Sequence, residues 1–353
     1  MSSSGAPATG PPPTEVVATG RAPTPGRRLR LVMPRSTTSL NIIGLLVAIV
    51  VLYVVLSATA RGFASEANQL GLLRDASLVG VVAAGMTLVI VAGEIDVSIG
   101  PAVAFASVVV AKAMTTWGMP TIVAIGVTIL AGAAWGAVVG VLRARARVPS
   151  FIGTLGLWNI LGGLALYTTN ALPVPFSPDD PIMTTLSGRL LGLPTPAWVM
   201  LASFLAFGFI ARKTAYGRSV YAVGGNASAA RLAGIRVDRT RVLIFVTTGA
   251  LSAVSGVLLA ARLGSGNGGA ASGLEFDIIA AVVIGGTAMA GGRGSLVGTF
   301  LGVIFITLIG NGLVLLGVNS FIQDVVSGAI IVVAVLINVT MSRRRAVAGT
   351  SSD

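Results

Sequence analysis

The sequence predicts an all-α polytopic membrane protein with about ten transmembrane helices, some of them broken. The chain of 353 residues is 54% hydrophobic and has a mean hydropathy of +0.91. Charged residues make up only 10% of it, whereas soluble domains contain roughly 25%. Uncharged stretches of roughly 20 residues recur along the chain, and each is long enough to cross about 30 Å of hydrocarbon.

Hydropathy and charge together predict the topology. Candidate spans lie at about 40–60, 75–93, 98–114, 119–142, 151–170, 196–211, 242–261, 274–290, 296–316 and 322–341. With the N-terminus inside, an even number of spans returns the C-terminus to the inner side. The inner segments then hold all but five of the 24 Lys and Arg residues, as the positive-inside rule predicts.

Composition excludes several kinds of chemistry. The chain has no Cys and no His, which excludes disulfides, zinc sites built on those ligands, catalytic thiols and His-based triads. A Walker A loop needs Gly-Lys followed by Ser or Thr, and the only Lys that precedes either, Lys213, follows Arg212. The net charge of +12 is dispersed beside apolar spans, which favours a topological role over nucleic-acid binding.

Three regions follow from this pattern. Residues 1–39 are rich in Pro, Ser, Thr, Ala and Gly and lack a hydrophobic period, which predicts a disordered inner tail. Residues 40–341 are the predicted transmembrane domain, and residues 342–353 are a second inner tail. The outer connection 171–196 has six prolines and a short amphipathic candidate helix, Ile182–Leu191. It is either a plain loop or a docking surface for an extracytoplasmic partner.

The long inner connection, 212–241, predicts a small structured knob. Gly224 and Gly225 interrupt the chain, Asn226 is a candidate helix cap, and residues 227–233 favour a short helix that stops at Gly234. Such a knob suits a partner protein. The alternative is an ordinary basic loop on the inner side.

The stretch GEIDVSIG, Gly93–Gly100, predicts a helix break between the second and third spans. Asp96 and Ser98 suit the start of the third span, since their side chains can accept from exposed N–H groups. Glu94 either pairs with a basic residue of the inner loops or faces a pathway. This interpretation predicts a folding or assembly defect for Asp96→Asn and little change for Glu94→Gly.

Four stretches occur in a fixed order: GEIDVSIG, VPSFIGTLG at Val148–Gly156, an inner-loop pattern over Tyr216–Ile235, and IAAVVIGG with GGRGS within Ile279–Ser295. Together they resemble the permease subunits of ABC importers for monosaccharides, of the ribose and xylose type. The family also contains branched-chain amino-acid permeases, and its matching signatures read GGIDLSVG, VPxFIxTLG and IAAVVIGGxxxxGGxGS. The chain departs at Glu94, where the family usually has Gly, and at Pro101.

The resemblance implies a ten-helix plasma-membrane permease that dimerises with a second copy and is not itself an enzyme. It also implies an extracytoplasmic solute-binding protein and a cytoplasmic ABC ATPase, which uses the ATP, so the permease needs no cofactor or metal. The ATPase would dock on a coupling helix in the inner connection. The positions of this chain that match the coupling segment are Gly225, Asn226, Ala229, Ala230, Gly234 and Ile235.

A solute pathway between two copies needs polar groups that pair with sugar hydroxyls. The candidates are Asp96, Ser98, Thr154, Asn159, Glu275 and Asp277. For Glu275 and Asp277 the alternative is a capping role at the outer start of a span. At the level of function, an ion-coupled secondary transporter or channel also fits intramembrane carboxylates, and an ABC permease for branched-chain amino acids fits the family.

Overall fold

The structure is a computed structural model. It describes residues 37–319, 321–323, 325–330, 332–333 and 336. The predicted tail 342–353, and residues 1–36 of the predicted tail 1–39, lie outside this part of the chain. The elements are α1 (Thr37–Thr59), α2 (Glu66–Val91), α3 (Ile99–Thr115), α4 (Thr121–Arg145), α5 (Ser150–Tyr167), β1 (Val174–Pro175), α6 (Pro181–Ser187), β2 (Arg189–Leu190), β3 (Leu193–Pro194), α7 (Thr195–Lys213), α8 (Ala215–Gly225), α9 (Ala227–Leu232), α10 (Val237–Leu263), β4 (Ser265–Gly266), α11 (Leu274–Ile284) and α12 (Leu296–Leu315).

Seven helices in the described part of the chain are long and apolar enough to cross a membrane: α1 from Asn41 onward, α2, α4, α5, α7, α10 and α12. Two further apolar helices are shorter, α3 with 17 residues and α11 with 11. The described residues of 321–330 are helical as well. The prediction of an all-α polytopic membrane protein is confirmed, whereas the count of ten spans and their orientation stay predictions.

The predicted span 274–290 is too long. α11 ends at Ile284 because Gly285 and Gly286 follow it, and Gly286 takes a φ of +89° that disfavours helix continuation. An irregular segment then runs to α12, whose first turn is capped by the Ser295 hydroxyl at 3.3 Å from the Gly298 nitrogen. The α11–α12 connection therefore resembles the α2–α3 connection in being an irregular break between two helices.

The centre of the bundle is α2, with α10 beside it. In the most apolar 18-residue stretch of α2, 89% of the residues are buried within the protein, whereas the corresponding share in α1 is 11%. α2 is therefore enclosed by other helices, and α1 presents its side chains outward. α4 and α10 touch through their main chains: a Cβ atom at Gly136 would lie 2.2 Å from the Phe245 carbonyl oxygen. Small residues permit this close approach of helices in membranes.

The inner connection contains two short helices where the sequence predicts one. The predicted helix of residues 227–233 is confirmed as α9, with the Asn226 side chain accepting from the Ala229 nitrogen at 3.0 Å and Gly234 at φ +82° after it. The additional helix is α8, whose first turn is capped by the Thr214 hydroxyl at 3.1 Å from the Gly217 nitrogen. Gly224 and Gly225 end α8 instead of lying in a loop.

The outer connection also differs from its prediction. The helix there is α6, which ends at Ser187, so the candidate Ile182–Leu191 extends too far; Arg189 and Leu190 belong to β2, which pairs with β3 in a tight hairpin. The Asp180 carboxylate caps α6. Slight burial of Asp180 opposes its ionisation, but hydrogen bonds from Thr121 Oγ1 and the nitrogens of Met183 and Ile182 prevail and lower its pKa.

Candidate functional site

A cavity of about 370 Å³ lies between α3, α5 and the start of α11. Its wall is mostly glycine and apolar side chains, with polar groups from Trp158, Asn159, Ser272 and Glu275. A concave, largely apolar surface with a few convergent polar groups is typical of small-molecule sites. Of the six predicted pathway residues, this cavity brings together two, Asn159 and Glu275.

Glu275 is the charged group of the cavity. It is only 1% exposed, and its Oε1 accepts from the Trp158 indole nitrogen at 2.9 Å. Within the described residues its Oε2 has no hydrogen-bond partner. This oxygen is itself enclosed beside the main chain of Gly100. A buried carboxylate oxygen without a partner is costly, so Oε2 would gain a partner if the carboxyl group turned toward a ligand in the cavity. Gly100 leaves the room for it, since a Cβ there would lie 1.8 Å from Oε2.

Trp158 and Asn159 form the α5 wall of the cavity. The Asn159 amide nitrogen donates to the Leu155 carbonyl oxygen at 3.2 Å, which leaves the amide oxygen available as an acceptor. Trp158 is 36% exposed and is fixed by its bond to Glu275. An indole ring beside a carboxylate and an amide offers both an apolar face and acceptors. Sequence reasoning missed Trp158, although its position next to Asn159 in the chain was visible.

Asp96, Ser98 and Thr154 lie instead at the break between α2 and α3. Asp96 Oδ1 accepts from the Ser98 nitrogen at 2.9 Å and from the Ser98 hydroxyl at 2.6 Å, so Asp96 holds Ser98, the N-cap residue of α3, in place. Within the described residues neither side chain accepts from an N–H group of α3 itself, so the predicted capping of helical N–H groups is not seen. Thr154 Oγ1 donates to the Phe151 carbonyl oxygen at 3.2 Å and lies 3.5 Å from that of Ile95. These groups hold the break against the first turn of α5.

Asp277 lines a different cavity, of about 440 Å³, together with the ion pair of Asp75 and Arg262. Asp277 and Glu275 both stand in the first turn of α11, where the helix dipole favours a carboxylate. The N-cap residue of α11 is Gly273, which has no side chain with which to cap the helix. The structure thus separates two residues that the sequence analysis treats alike.

Glu94 is enclosed by two arginines that the sequence could not assign to it. Its side chain is 2% exposed, and the Arg143 Nε–H donates to both carboxylate oxygens at 2.9 and 2.8 Å. Arg241 Nε lies 2.8 Å from Oε1, but its N–H is not aligned for a hydrogen bond, so that contact is ionic. Of the two alternatives for Glu94, the structure shows pairing with basic residues. Glu94, Arg143 and Arg241, which we call the ionic triad, join the α2–α3 break to α4 and α10.

The inner helices meet both irregular breaks through main-chain contacts. The Gly292 nitrogen donates to the Val91 carbonyl oxygen at 2.7 Å. A Cβ at Gly224 would lie 1.7 Å from that same oxygen, and one at Gly291 would lie 2.8 Å from the Gly224 oxygen and 3.0 Å from the Gly93 Cα. We call this meeting point of Gly93, Gly224, Gly291 and Gly292 the glycine junction. It connects the end of α8 to the end of α2 and to the irregular segment between α11 and α12.

The predicted coupling residues fall into two groups. Gly225, Asn226, Ala229 and Gly234 are exposed on the knob, whereas Ala230 is 5% exposed and packs with Val223, Val237 and Ile235. Ala230 is therefore part of the small core that holds α9 in place. The exposed apolar group on the knob is Leu232, at 90% exposure, which sequence reasoning did not single out.

A polytopic bundle of apolar helices that encloses a partly polar cavity is the architecture of a multi-pass membrane protein, and comparison with known proteins gives its class. Residues 68–335 match the family described as branched-chain amino acid transport system/permease component, and the chain belongs to that family. Members are permease components and not enzymes themselves. The predictions of an ABC permease, of a non-enzyme and of a multi-pass plasma-membrane protein are confirmed.

Curated relatives cover most of the chain. It is 58% identical over 305 residues to the probable ABC transporter permease protein YphD of Escherichia coli (strain K12), covering 86% of this chain and 91% of the relative. It is 38% identical to the ribose import permease protein RbsC of the same strain, and the match covers 83% of this chain and 92% of the relative. For the L-arabinose ABC transporter permease protein AraH of Azospirillum brasilense the identity is 37%, covering 84% and 87%. No solved structure matches the chain.

Proposed function

We propose that this chain is the permease subunit of an ABC importer for a monosaccharide, with ten transmembrane helices and both termini in the cytoplasm. The sugar would pass between two copies of the chain. An ATPase would bind on the cytoplasmic side, and a solute-binding protein would deliver the sugar outside. The relatives named for ribose and L-arabinose support a monosaccharide.

The cavity between α3, α5 and α11 is the observation that supports this proposal most directly. Sugar hydroxyls donate and accept, and their C–H faces are apolar. The Asn159 amide oxygen and the Glu275 carboxylate, once turned toward the cavity, would supply acceptors, while the Trp158 ring would supply an apolar surface. Few polar groups hold a sugar weakly, which a translocation site needs so that the solute can leave.

The outer connection suits delivery of the solute. β1 of that connection pairs with β4, with Val174 opposite Gly266. β4 leads directly into residues 268–272, which border the cavity. A binding protein that docks on the outer connection would therefore act on a segment only a few residues from the site.

The knob suits the coupling role on the opposite side. Leu232 on α9 presents an apolar group to a partner, and α8 ends in the glycine junction. The Tyr221 hydroxyl adds a bond to the Gly294 carbonyl oxygen at 3.0 Å. Movement imposed on α9 would reach both irregular breaks through α8, and it would reach the α2–α3 break also through α10 and Arg241.

Reconstituted uptake tests the function. Proteoliposomes that contain this chain, its ATPase and its binding protein are expected to accumulate labelled ribose, xylose or arabinose only when ATP is supplied on the ATPase side. Transport by the chain alone on an ion gradient would overturn the ABC mechanism in favour of a secondary transporter. Uptake of leucine or valine in place of any sugar would overturn the monosaccharide assignment.

Topology has a separate test, for which the cysteine-free sequence is already suited. Single variants Ser228→Cys on α9 and Thr185→Cys on α6 place a thiol at two exposed positions. In intact cells a membrane-impermeant maleimide should label Thr185→Cys and not Ser228→Cys. The reverse pattern would contradict the proposed orientation.

A further inference from the structure

Five arginines line another cavity, at the end of α4 and the start of α10. It has a volume of about 310 Å³, and its charged lining is Arg143, Arg145, Arg147, Arg231, Asp238 and Arg241. We call it the arginine pocket. It is distinct from the solute cavity, with which it shares no residue.

The charges of the arginine pocket do not balance. Glu94 accounts for Arg143 and Arg241 at its floor, and Asp238 lies 3.3 Å from Arg231 at its rim. Five guanidinium groups thus face two carboxylates, which leaves three positive charges in excess. Within the described residues Arg145 and Arg147 form no ion pair. The pocket therefore attracts an anion.

The backbone keeps Arg147 at the pocket wall. Arg147 has a φ of 56°, in the left-handed region that disfavours residues with a side chain. Ala146 ends α4, and the Val148 nitrogen still donates to the Leu142 carbonyl oxygen at 3.3 Å, so the chain curls back under the helix. This turn holds Arg147 beside Arg145 before the chain enters α5 at Ser150.

The surface next to the pocket is apolar and exposed. Val138, Val141 and Leu142, on the last turns of α4, are 54%, 38% and 40% exposed. On the first turn of α5, Phe151 and Ile152 are 50% and 58% exposed. A ligand with an anionic group and an apolar extension fits the basic pocket and its apolar surroundings better than a small soluble anion does, because only such a ligand covers both surfaces.

We propose that the arginine pocket binds the headgroup phosphate of an anionic phospholipid from the cytoplasmic leaflet, with acyl chains along the exposed face of α4. Guanidinium groups match phosphate oxygens through paired hydrogen bonds, and basic pockets between helices on the cytoplasmic side suit such lipids. The leaflet assignment rests on the proposed topology. The arginine pocket itself does not depend on which solute is carried.

Thermal unfolding of the purified full chain in nonionic detergent tests the proposal without any transport measurement. Phosphatidylglycerol is expected to raise Tm by roughly 2 °C or more, and phosphatidylcholine is not. The double variant Arg145→Gln and Arg147→Gln should lose the shift, because it removes the unpaired charges. The matched control Arg212→Gln and Arg218→Gln removes two exposed arginines elsewhere in the inner connection and should keep the shift.

Three results would overturn the proposal. An equal phosphatidylglycerol shift in the Arg145→Gln, Arg147→Gln variant would place lipid binding elsewhere. An equal shift from soluble glycerol phosphate would make the occupant a free anion. Loss of ATPase association in that variant, with the lipid shift retained, would assign the arginines to the ATPase. Failure of sugar uptake would refute only the proposed transport function, because the lipid shift is measured without it.

Discussion

Arg143 Nε lies 2.8 Å from Glu94 Oε2, and this contact fixes the irregular segment between α2 and α3 to the end of α4. Arg241 approaches the same carboxylate from α10. Removal of the carboxylate would leave two guanidinium groups, 23% and 16% exposed, facing each other without a counter-charge.

Glu94→Gly should destabilise the protein by about 2–3 kcal/mol, below the roughly 3–5 kcal/mol for fully buried pairs because both arginines retain some contact with water. Unfolding of the detergent-solubilised chain measures this. The control is Glu66→Gln. The side chains of Glu66 and its partner Arg189 are 80% and 48% exposed, so loss of this pair should lower the free energy of unfolding by less than about 1 kcal/mol. Equal losses in both variants would refute a structural role of the ionic triad.

Asp96→Asn should destabilise the protein less than Glu94→Gly does. Asp96 accepts two hydrogen bonds from Ser98 through a single oxygen, Oδ1, and the amide oxygen of Asn can accept both. The structure therefore reverses the order that the sequence predicts for these two variants. A larger loss of stability for Asp96→Asn in the same unfolding experiment would restore the sequence interpretation.

Glu275→Gln should lower uptake without unfolding the protein. The amide oxygen can still accept from the Trp158 indole nitrogen, but the free carboxylate acceptor becomes a donor. Loss of one hydrogen bond to a charged group corresponds to about tenfold or more in apparent affinity. Reconstituted uptake as a function of sugar concentration measures the change, with Glu66→Gln as the control. Unchanged uptake would exclude this cavity from the solute pathway.

Gly100→Ala should disturb the same site from the α3 side. The new methyl group would lie 1.8 Å from Glu275 Oε2 and 3.1 Å from the Ala271 carbonyl oxygen, so the carboxylate must move. We expect a loss of about 1–3 kcal/mol in stability together with reduced uptake. Gly126→Ala on α4, where a Cβ meets nothing within 4 Å, is the control. If both variants behave like the unmodified chain, Glu275 does not occupy the described position.

Gly224→Ala should damage the glycine junction. Its Cβ would lie 1.7 Å from the Val91 carbonyl oxygen and 2.6 Å from the Gly292 nitrogen, both main-chain atoms that cannot rotate away. The neighbouring variant Gly225→Ala meets nothing within 4 Å and should unfold like the unmodified chain. Stability loss in Gly224→Ala of at least about 1–3 kcal/mol is expected. Identical unfolding of the two variants would contradict the junction.

Leu232→Glu should weaken ATPase association while leaving the fold intact, because Leu232 is 90% exposed on α9. Co-purification with the ATPase and unfolding of the isolated chain provide the two measurements. The exposed Leu191 of the outer connection, 84% exposed, supplies the control variant Leu191→Glu. Retained association in Leu232→Glu would exclude α9 as the docking site. Ala230→Arg would not test docking, because Ala230 is buried and the substitution would disrupt α9 itself.

Local sequence signals predicted the local structure well. Uncharged runs located the long helices and α3, and Asn226 with Gly234 bounded α9. α8 is not evident from the sequence because Gly224 and Gly225 predict an interruption, whereas they end a helix whose apolar residues Val220 and Val223 face the core.

The tertiary relationships were beyond the sequence. Glu94 and its partners Arg143 and Arg241 are separated by 49 and 147 positions in the numbering, and nothing local to any of them indicates the pairing. In the same way, Glu275 and Asp277 stand two residues apart yet line different cavities. Only the packing of α11 against α3 and α5 decides which of them faces a candidate site.

The glycine junction has a mechanical consequence. A contact between side chains is soft, because each partner can change rotamer and absorb a displacement. Here the main chains of Gly224 and Gly292 meet the main-chain carbonyl group of Val91, so no side-chain rotation can relieve the contact. The junction is therefore stiff, and a shift of α8 by a fraction of an ångström would arrive at Val91 and Gly292 at nearly its full amplitude.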